Sequence, residues 1–433
     1  MGMSDLLQQL LSGTLADIDG GEALAVPTKT VVIERSLKGQ ESDLLRELDL
    51  GSRLAVVSDP TTRKVLGRRV ERAAAAVAEV DSIVLPEHPH ADVELAEEIA
   101  EAAQSADALI AVGSGTINDL CKYAGAQTGK PYAVFATAPS MNGYTSVNAA
   151  ITRQGHKKSI QAQGAVGVMI DLEVFAAAPP RMIRSGLGDS LCRPTAQADW
   201  LLAHRLLDLP YRRAPFALLA EDEALLFAEP HGLLSGDLES MALLARTLVL
   251  SGFGMTICGG SQPASQGEHL IAHYIEMMMA PDLPASFHGE QIAVTTLTMA
   301  RLQERLLAGP APVVRAPRIE AADFEARYGP ATGRSCWQEF AEKRLDDESA
   351  EALNQRLADN WPQIAEEVAA ISISADKLRD TMLGIDAPTT PEDLALPEEF
   401  YRDAVVHARE IRDRFTFLDL AADSGLFEAG LAP

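Results

Sequence analysis

Five short apolar runs, TVVIER, LAVVSD, SIVLP, ALIAVG and YAVFAT, are spaced between residues 30 and 137 with amphipathic stretches between them. This alternation constrains the fold most, because strands separated by helix-length segments return as right-handed βαβ units and build a parallel sheet. The segments TTRKVLGRRVERAAAAVAEV and DVELAEEIAEAAQSA carry apolar residues at helical spacing between charged positions, as crossover helices do. After about residue 148, AAITRQGHKKSIQAQGAVGVMIDLEVF alternates in the manner of a β-hairpin excursion. From about residue 180, Ala/Leu-rich stretches such as TAQADWLLAHRLLD, DLESMALLARTLVLSG and DDESAEALNQRLADNWPQIAEEVAA are punctuated by Pro and Gly. The expected organisation is an α/β domain over 1–178, including the hairpin, followed by an all-α domain over 179–433.

The 433 residues carry a formal net charge of -25, which repels phosphate backbones and anionic lipid surfaces, so neither nucleic acid nor a membrane surface is expected as partner. An anionic small substrate would need a local cationic pocket. The N-terminal MGMSDLLQQLLSG lacks the features of a signal peptide and no apolar run reads as a membrane span, so a cytoplasmic location is expected. Cys121, Cys192, Cys258 and Cys336 are scattered without CxxC spacing, and are expected as reduced, buried thiols. So Ala-rich a helical half is compatible with a homo-oligomer.

In ALIAVGSGTINDLCKYAG a strand runs into Gly113, Ser114 and Gly115 and then into a segment able to start a helix. Free amides at such a helix start favour an anion, and the glycines allow close approach of a pyrophosphate. The run fits neither GxGxxG nor a Walker A sequence. Asp59, ending LAVVSD, stands where a carboxylate can accept nucleotide ribose hydroxyls, or cap the helix that follows.

Three separated stretches hold residues able to bind a metal. GLGDSLCRPTAQADW places Asp189 after Gly186 and Gly188 and just before a helix, an N-cap position; His288 stands at a loop-to-helix junction in SFHGEQIAV. In GEHLIAHYIE, His269 and His273 fall on one helical face with Glu276 close by. A zincin would need glutamate directly after the first histidine, and Leu270 stands there. An Asp-His-His set can hold a divalent transition metal and leave positions open for substrate oxygens.

Read together, GSGTINDLCKYAG, TAPSMNGYTSVNAAI, GLGDSLCRPTAQADW, SQPASQGEHLIAHYIE and FHG resemble, in order, the motifs of sn-glycerol-1-phosphate dehydrogenases, within the superfamily of iron-containing alcohol dehydrogenases, glycerol dehydrogenases and dehydroquinate synthases. The resemblance runs from about residue 30 to 300, with an echo in AVVHAREIRDRFTFLDLA. It implies a dehydroquinate synthase-like architecture: an N-terminal dinucleotide-binding α/β domain, an all-α metal- and substrate-binding domain, and an active site in the cleft between them.

The resemblance carries the metal to Asp189, His269 and His288, with zinc, nickel or iron suited to the set. It carries NAD or NADP to Asp59 at the adenosine ribose, to Gly113, Ser114 and Gly115 at the pyrophosphate, and to Thr137, Ser140 and Ser146 toward the nicotinamide, with Thr116 and Asp119 as further cofactor contacts. Asp119 and Lys122 match family positions as well. His273 would stand beside the substrate and relay a proton, as an imidazole titrating near neutrality can. Two departures bear on the substrate. Asn142 replaces the family's aspartate in SMDGY and cannot ionise, and Arg193-Pro194 stand where the branch more often has Lys and an aromatic or aliphatic residue.

Together these imply an oxidoreductase interconverting dihydroxyacetone phosphate and sn-glycerol 1-phosphate. Lys157, Lys158 and Arg193 are the cations near the matched motifs for the phosphate of this small-molecule substrate. An unphosphorylated-polyol dehydrogenase, a dehydroquinate synthase-like cyclase and a disabled dinucleotide-binding homologue are the alternatives.

Overall fold

The computed structural model describes residues 3–153, 156–279 and 282–427. Two compact units emerge. Unit 1 comprises Met1–Ser190 and Arg212–Ser261; unit 2 comprises Leu191–Tyr211 and Gln262–Pro433.

Unit 1 contains the strands β1 (Thr30–Glu34), β2 (Arg53–Ser58), β3 (Glu79–Val84), β4 (Ala108–Gly113), β5 (Tyr132–Ala136), β6 (Asn148–Arg153), β7 (His156–Gln161) and β8 (Gly167–Asp171). Among the described residues, six of these form one sheet in the order β1-β8-β5-β4-β2-β3, every neighbouring pair parallel. Every residue of β4, β5 and β8 is buried, as expected of parallel strands covered on both faces. Leu54, Val56, Ile110, Val112, Phe135 and Met169 fill one side of the sheet. The chain adds β3 on one side of β2 and then β4 on the other. The carboxyl ends of β2 and β4 therefore flank a topological switch point, the place where open α/β sheets bind ligands. The expected hairpin is present: β6 and β7 pair antiparallel, with Ile151 opposite Lys158 and Thr152 opposite Lys157.

The compact units do not follow a single cut at 178/179. Pro180–Ser190 and Arg212–Ser261, both helical in pattern, pack within unit 1. The Leu238–Cys258 helix shows why: Thr145 Oγ1 donates to the Val249 carbonyl at 2.6 Å, and Thr256 Oγ1 donates to the Thr145 carbonyl at 2.9 Å. A Cβ on Gly252 would stand 2.1 Å from Thr145 Oγ1, so only glycine lets this helix approach the 142–146 loop so closely. Periodicity announces a helix but not the surface it packs on. The same 21-residue helix reaches a mean hydropathy of 1.6, enough in length and composition to cross a bilayer, contrary to the expectation that no run would. Within the protein, 67% of its apolar window is buried, as befits a core helix.

Unit 2 is helical. Its core joins Leu201 and Leu202 from Arg193–Leu207, Leu270 and Ile271 from Gly267–Met279, Val294 and Leu302 from His288–Leu307, Leu357 and Trp361 from Asp347–Ile371, and Phe417 and Leu420 from Phe417–Asp423. Of the four cysteines, Cys121, Cys192 and Cys336 are buried free thiols, whereas Cys258 is partly exposed.

One close approach in unit 1 gives a stability prediction. A Cβ on Gly186 would lie 1.7 Å from the Pro139 carbonyl oxygen, so Gly186→Ala must push the Pro180–Leu191 helix away from the 137–140 loop. The expected loss is about 1–3 kcal/mol, the usual range for overpacking a tight interior, read as a lowered midpoint in chemical denaturation.

Candidate active-site residues

At the switch point of unit 1, β4 ends in Gly113 and the helix Gly115–Thr128 begins after Ser114, whose side chain makes no cap. The amides of this first turn are thus not used by the preceding side chain, and Ser114, Gly115 and Thr116 are partly exposed. A Cβ on Gly113 would come within 2.6 Å of Ile117, so glycine is needed for the tight strand-to-helix turn. Asp59, after the neighbouring β2, acts as an N-cap. Its Oδ1 accepts from Thr62 N at 2.8 Å while its own N–H donates to Thr62 Oγ1 at 3.0 Å.

The 137–148 loop is held by groups that sequence spacing left without clear roles. Lys122, wholly buried, donates from Nζ to Asp119 Oδ1 at 3.2 Å and to the carbonyls of Gly143 at 2.7 Å and Asn148 at 2.8 Å. Burial lowers the Lys122 ammonium from its usual value, with Asp119 opposing that shift. Asp119 Oδ2 accepts from Ala150 N at 3.0 Å. This pair therefore fastens the loop that carries Ser140, Asn142 and Ser146. Thr137 N donates to the Gly113 carbonyl at 3.1 Å, tying the loop to the glycine turn, and Ser146 Oγ accepts from Asn148 N at 3.0 Å.

Asp189 is not a helix cap. It lies in the last turn of Pro180–Leu191 and is 2% exposed. Gly186 and Gly188 also lie inside this helix, and glycine is required at 186, where the helix meets Pro139. Ser185 Oγ donates to the Ser140 carbonyl at 3.0 Å, and Asn142 N donates to Asp189 Oδ2 at 2.9 Å. Asn142 thus holds Asp189 through its backbone, a contact that no side-chain motif encodes.

In unit 2 the helices Gly267–Met279 and His288–Leu307 bring three histidines together. Ring centroids stand 5.2 Å apart for His269 and His288, 5.7 Å for His273 and His288, and 5.9 Å for His269 and His273. His288 opens its helix as expected, with Glu290 Oε2 accepting from Phe287 N at 2.8 Å. Glu268, fully buried and absent from the expected site, accepts at Oε1 from His269 Nδ1 at 3.0 Å. It also accepts from Gln266 N at 2.8 Å and from Thr195 Oγ1 at 3.3 Å. Glu276 Oε1 faces His288 Nδ1 at 3.6 Å. The Glu268 carboxylate on Nδ1 fixes the proton there and leaves the His269 Nε2 lone pair for a metal, so the donor chemistry of His269 fits a divalent transition ion.

His273 differs. Arg412 Nη2 lies 3.1 Å from its Nδ1, and because a guanidinium only donates, Nδ1 is the acceptor and the proton sits on Nε2. Burial first, and Arg412 next, hold this imidazole well below its ordinary pKa. In place of the expected group titrating near neutrality, His273 is held neutral by burial and by the cation that stands against it. Arg412 belongs to the C-terminal HAREIRDRFTF stretch, inside the segment where the family resemblance is only an echo. Arg193 is buried, 4% exposed, at the start of Arg193–Leu207. Lys157 and Lys158 lie on β7, but their side chains fall outside the described residues.

The sequence model of the family "Iron-containing alcohol dehydrogenase" matches residues 32–179, which hold the parallel sheet and the glycine turn at its switch point. Among solved structures, the fold is similar to sulfoacetaldehyde reductase from Bifidobacterium kashiwanohense in complex with NAD+, with TM-score 0.60 and 16% identity over 94% of this chain and 98% of that one. It is also similar to glycerol dehydrogenase from Schizosaccharomyces pombe, with TM-score 0.55 and 14% identity over 87% and 95%. Two curated relatives are named glycerol-1-phosphate dehydrogenase, NAD(P)+. The one from Pyrococcus furiosus is 32% identical over 63% of this chain and 78% of its own length; the one from Bacillus licheniformis is 27% identical over 86% and 83%. The chain belongs to the glycerol-1-phosphate dehydrogenase family of oxidoreductases.

Asp199, wholly buried in unit 2, gives a pH prediction. Burial, and then the Glu268 charge, raise its carboxyl to about 8 from its ordinary 3.8. A raised acid holds its proton more tightly in the folded state, so its contribution is fully present below pH 3.8 and is lost as pH rises through 8. Asp199→Asn is expected to flatten the fall of unfolding free energy across that window, measured by denaturant titrations at stepped pH. An unchanged slope would remove Asp199 as its source.

Proposed function

We propose that the protein is a metal-dependent, NAD(P)-linked dehydrogenase that interconverts dihydroxyacetone phosphate and sn-glycerol 1-phosphate. The reading is carried by the histidine cluster of unit 2, in a chain whose relatives are named glycerol-1-phosphate dehydrogenase. Unit 1 takes the dinucleotide. Gly113, Ser114, Gly115 and Thr116 hold the pyrophosphate on the amides of the helix start, and the Asp59 oxygen that does not cap Thr62 accepts from the adenosine ribose. Thr137, Ser140 and Ser146 line the nicotinamide side, on the loop that Asp119 and Lys122 fasten. The reduced nicotinamide supplies the hydride.

Asp189, His269 and His288 hold the metal, which when bound supplies a Lewis acid for the ketone oxygen. Glu268 keeps the His269 proton at Nδ1, and the Asn142 amide fixes the Asp189 carboxylate. His273 is not a ligand in this reading, because Arg412 occupies its Nδ1 and its charge repels a cation. It acts instead from Nε2–H, as a hydrogen-bond donor to a substrate oxygen. Asn142, which keeps hydrogen bonding without ionising, orients a substrate hydroxyl.

The expected activity is oxidation of NADH or NADPH with dihydroxyacetone phosphate in the presence of zinc, nickel or iron, followed spectrophotometrically. Faster reduction of dihydroxyacetone, or no net change at the nicotinamide band, would sink the assignment. His269→Ala is expected to lose metal, whereas His273→Ala keeps metal stoichiometry and loses about 100-fold in kcat. Glu268→Gln should weaken metal affinity about 10- to 100-fold in chelator competition, the usual effect of removing a carboxylate behind a ligating histidine.

A further inference from the structure

In a chain of net charge -25, an anion site must be built from a local concentration of cations. Unit 2 has one beside the histidines. The Arg412 guanidinium is 3.1 Å from His273 Nδ1, and the His273 ring is 5.7 Å from that of His288. Arg414 donates to the Ser265 carbonyl, two residues before the helix that carries His269 and His273. Burial, and then the neighbouring Arg412, lower Arg414 to about 9; burial lowers Arg412 as well. The carboxylates acting on both are Glu339 and Asp413, with Glu268 also acting on Arg414. Arg412 and Arg414 stand two residues apart in the chain, like charges in a partly desolvated site are relieved by an incoming dianion, and a guanidinium fork matches the geometry of phosphate oxygens. The contact to His273 uses one of the five donors of Arg412 and is made to a neutral ring.

We propose that Arg412 and Arg414 hold the phosphate of the substrate, a small phosphomonoester whose ketone oxygen lies by the histidines. This rests on the dehydrogenase reading above and deepens it. Phosphate selection then belongs to the turn after His407, with neither Lys157, Lys158 nor Arg193 required. The Arg412 contact to His273 couples the two ends of the substrate: the residue that reads the phosphate also sets which nitrogen of His273 carries the proton.

The test uses the metal-loaded protein and its Arg412→Gln, Arg412→Lys and Arg414→Gln variants, with melting temperature as the check on folding. Calorimetric titration with inorganic phosphate reads the site without turnover; kinetics with dihydroxyacetone phosphate and dihydroxyacetone read its use. Both glutamine variants are expected to weaken phosphate about 30-fold or more, and to lower the ratio of kcat/KM for the phosphorylated over the unphosphorylated ketone by a similar factor. Arg412→Lys, which keeps the charge and loses the fork, should fall between, and serves where glutamine prevents folding. Folded variants that bind phosphate like the wild type overturn the proposal. So does an equal loss on both ketones, which would mean that Arg412 acts only through His273. If phosphate binding is lost in the variants while the wild type shows no preference for the phosphorylated ketone, the substrate assignment fails and the anion site stands.

Discussion

The buried carboxyl of Asp199 is the junction on which unit 2 depends. From the Arg193–Leu207 helix it accepts from Gly267 N at 2.9 Å, Phe417 N at 3.0 Å and Gln303 Nε2 at 3.3 Å, so one side chain joins four helices. Two of these donors are the first amides of their helices, groups with no partner within the helix itself. Gly267 must be glycine: a Cβ would lie 2.8 Å from Asp199 Oδ2 and 2.4 Å from Met299. The placement of His269, two residues on, follows from this junction. Glu268 then completes it by turning the imidazole. Stability and site geometry are accordingly set by the same few polar contacts in an otherwise apolar core.

Unit 1 solves the corresponding problem with Lys122. Its ammonium has no exposure to water and is compensated by Asp119 and two carbonyls, so the 137–148 loop is drawn onto the helix that follows the glycine turn. A flexible loop would position Asn142 poorly. Here it is fixed from below by Lys122 and from the side by the Pro180–Leu191 helix, through Ser185 and Asp189. Buried charges of this kind are costly unless every donor is used, which suits them to holding one loop conformation.

Much of the fold was legible in the sequence because period and composition are local properties. The five apolar runs became five of the six strands of the parallel sheet, the hairpin formed where alternation replaced helical spacing, and GEHLIAHYIE became a helix. Asp189, open in the sequence between an N-cap and a metal ligand, stands in the last turn of a helix that needs glycine at 186 for contact with Pro139, which lies nearly fifty residues away in sequence. The helical pattern of 238–258 likewise gave no hint that this segment packs against Thr145. The contact that Arg412 makes to His273 could not be read at all, because the two stand 139 residues apart in the chain.

The sequence by itself determined the strand-and-helix alternation and the run of helices after it, the glycine turn at the end of β4, and the residue types able to bind a dinucleotide and a metal, because these depend on spacing along the chain. Only the tertiary structure decided which protein groups act on each histidine. Glu268 fixes a proton on His269, Glu276 faces His288, and Arg412 takes the lone pair of His273. The imidazoles of GEHLIAHYIE differ because an imidazole's chemistry depends on what faces its second nitrogen. For His273 that partner comes from a distant part of the chain, brought close by packing.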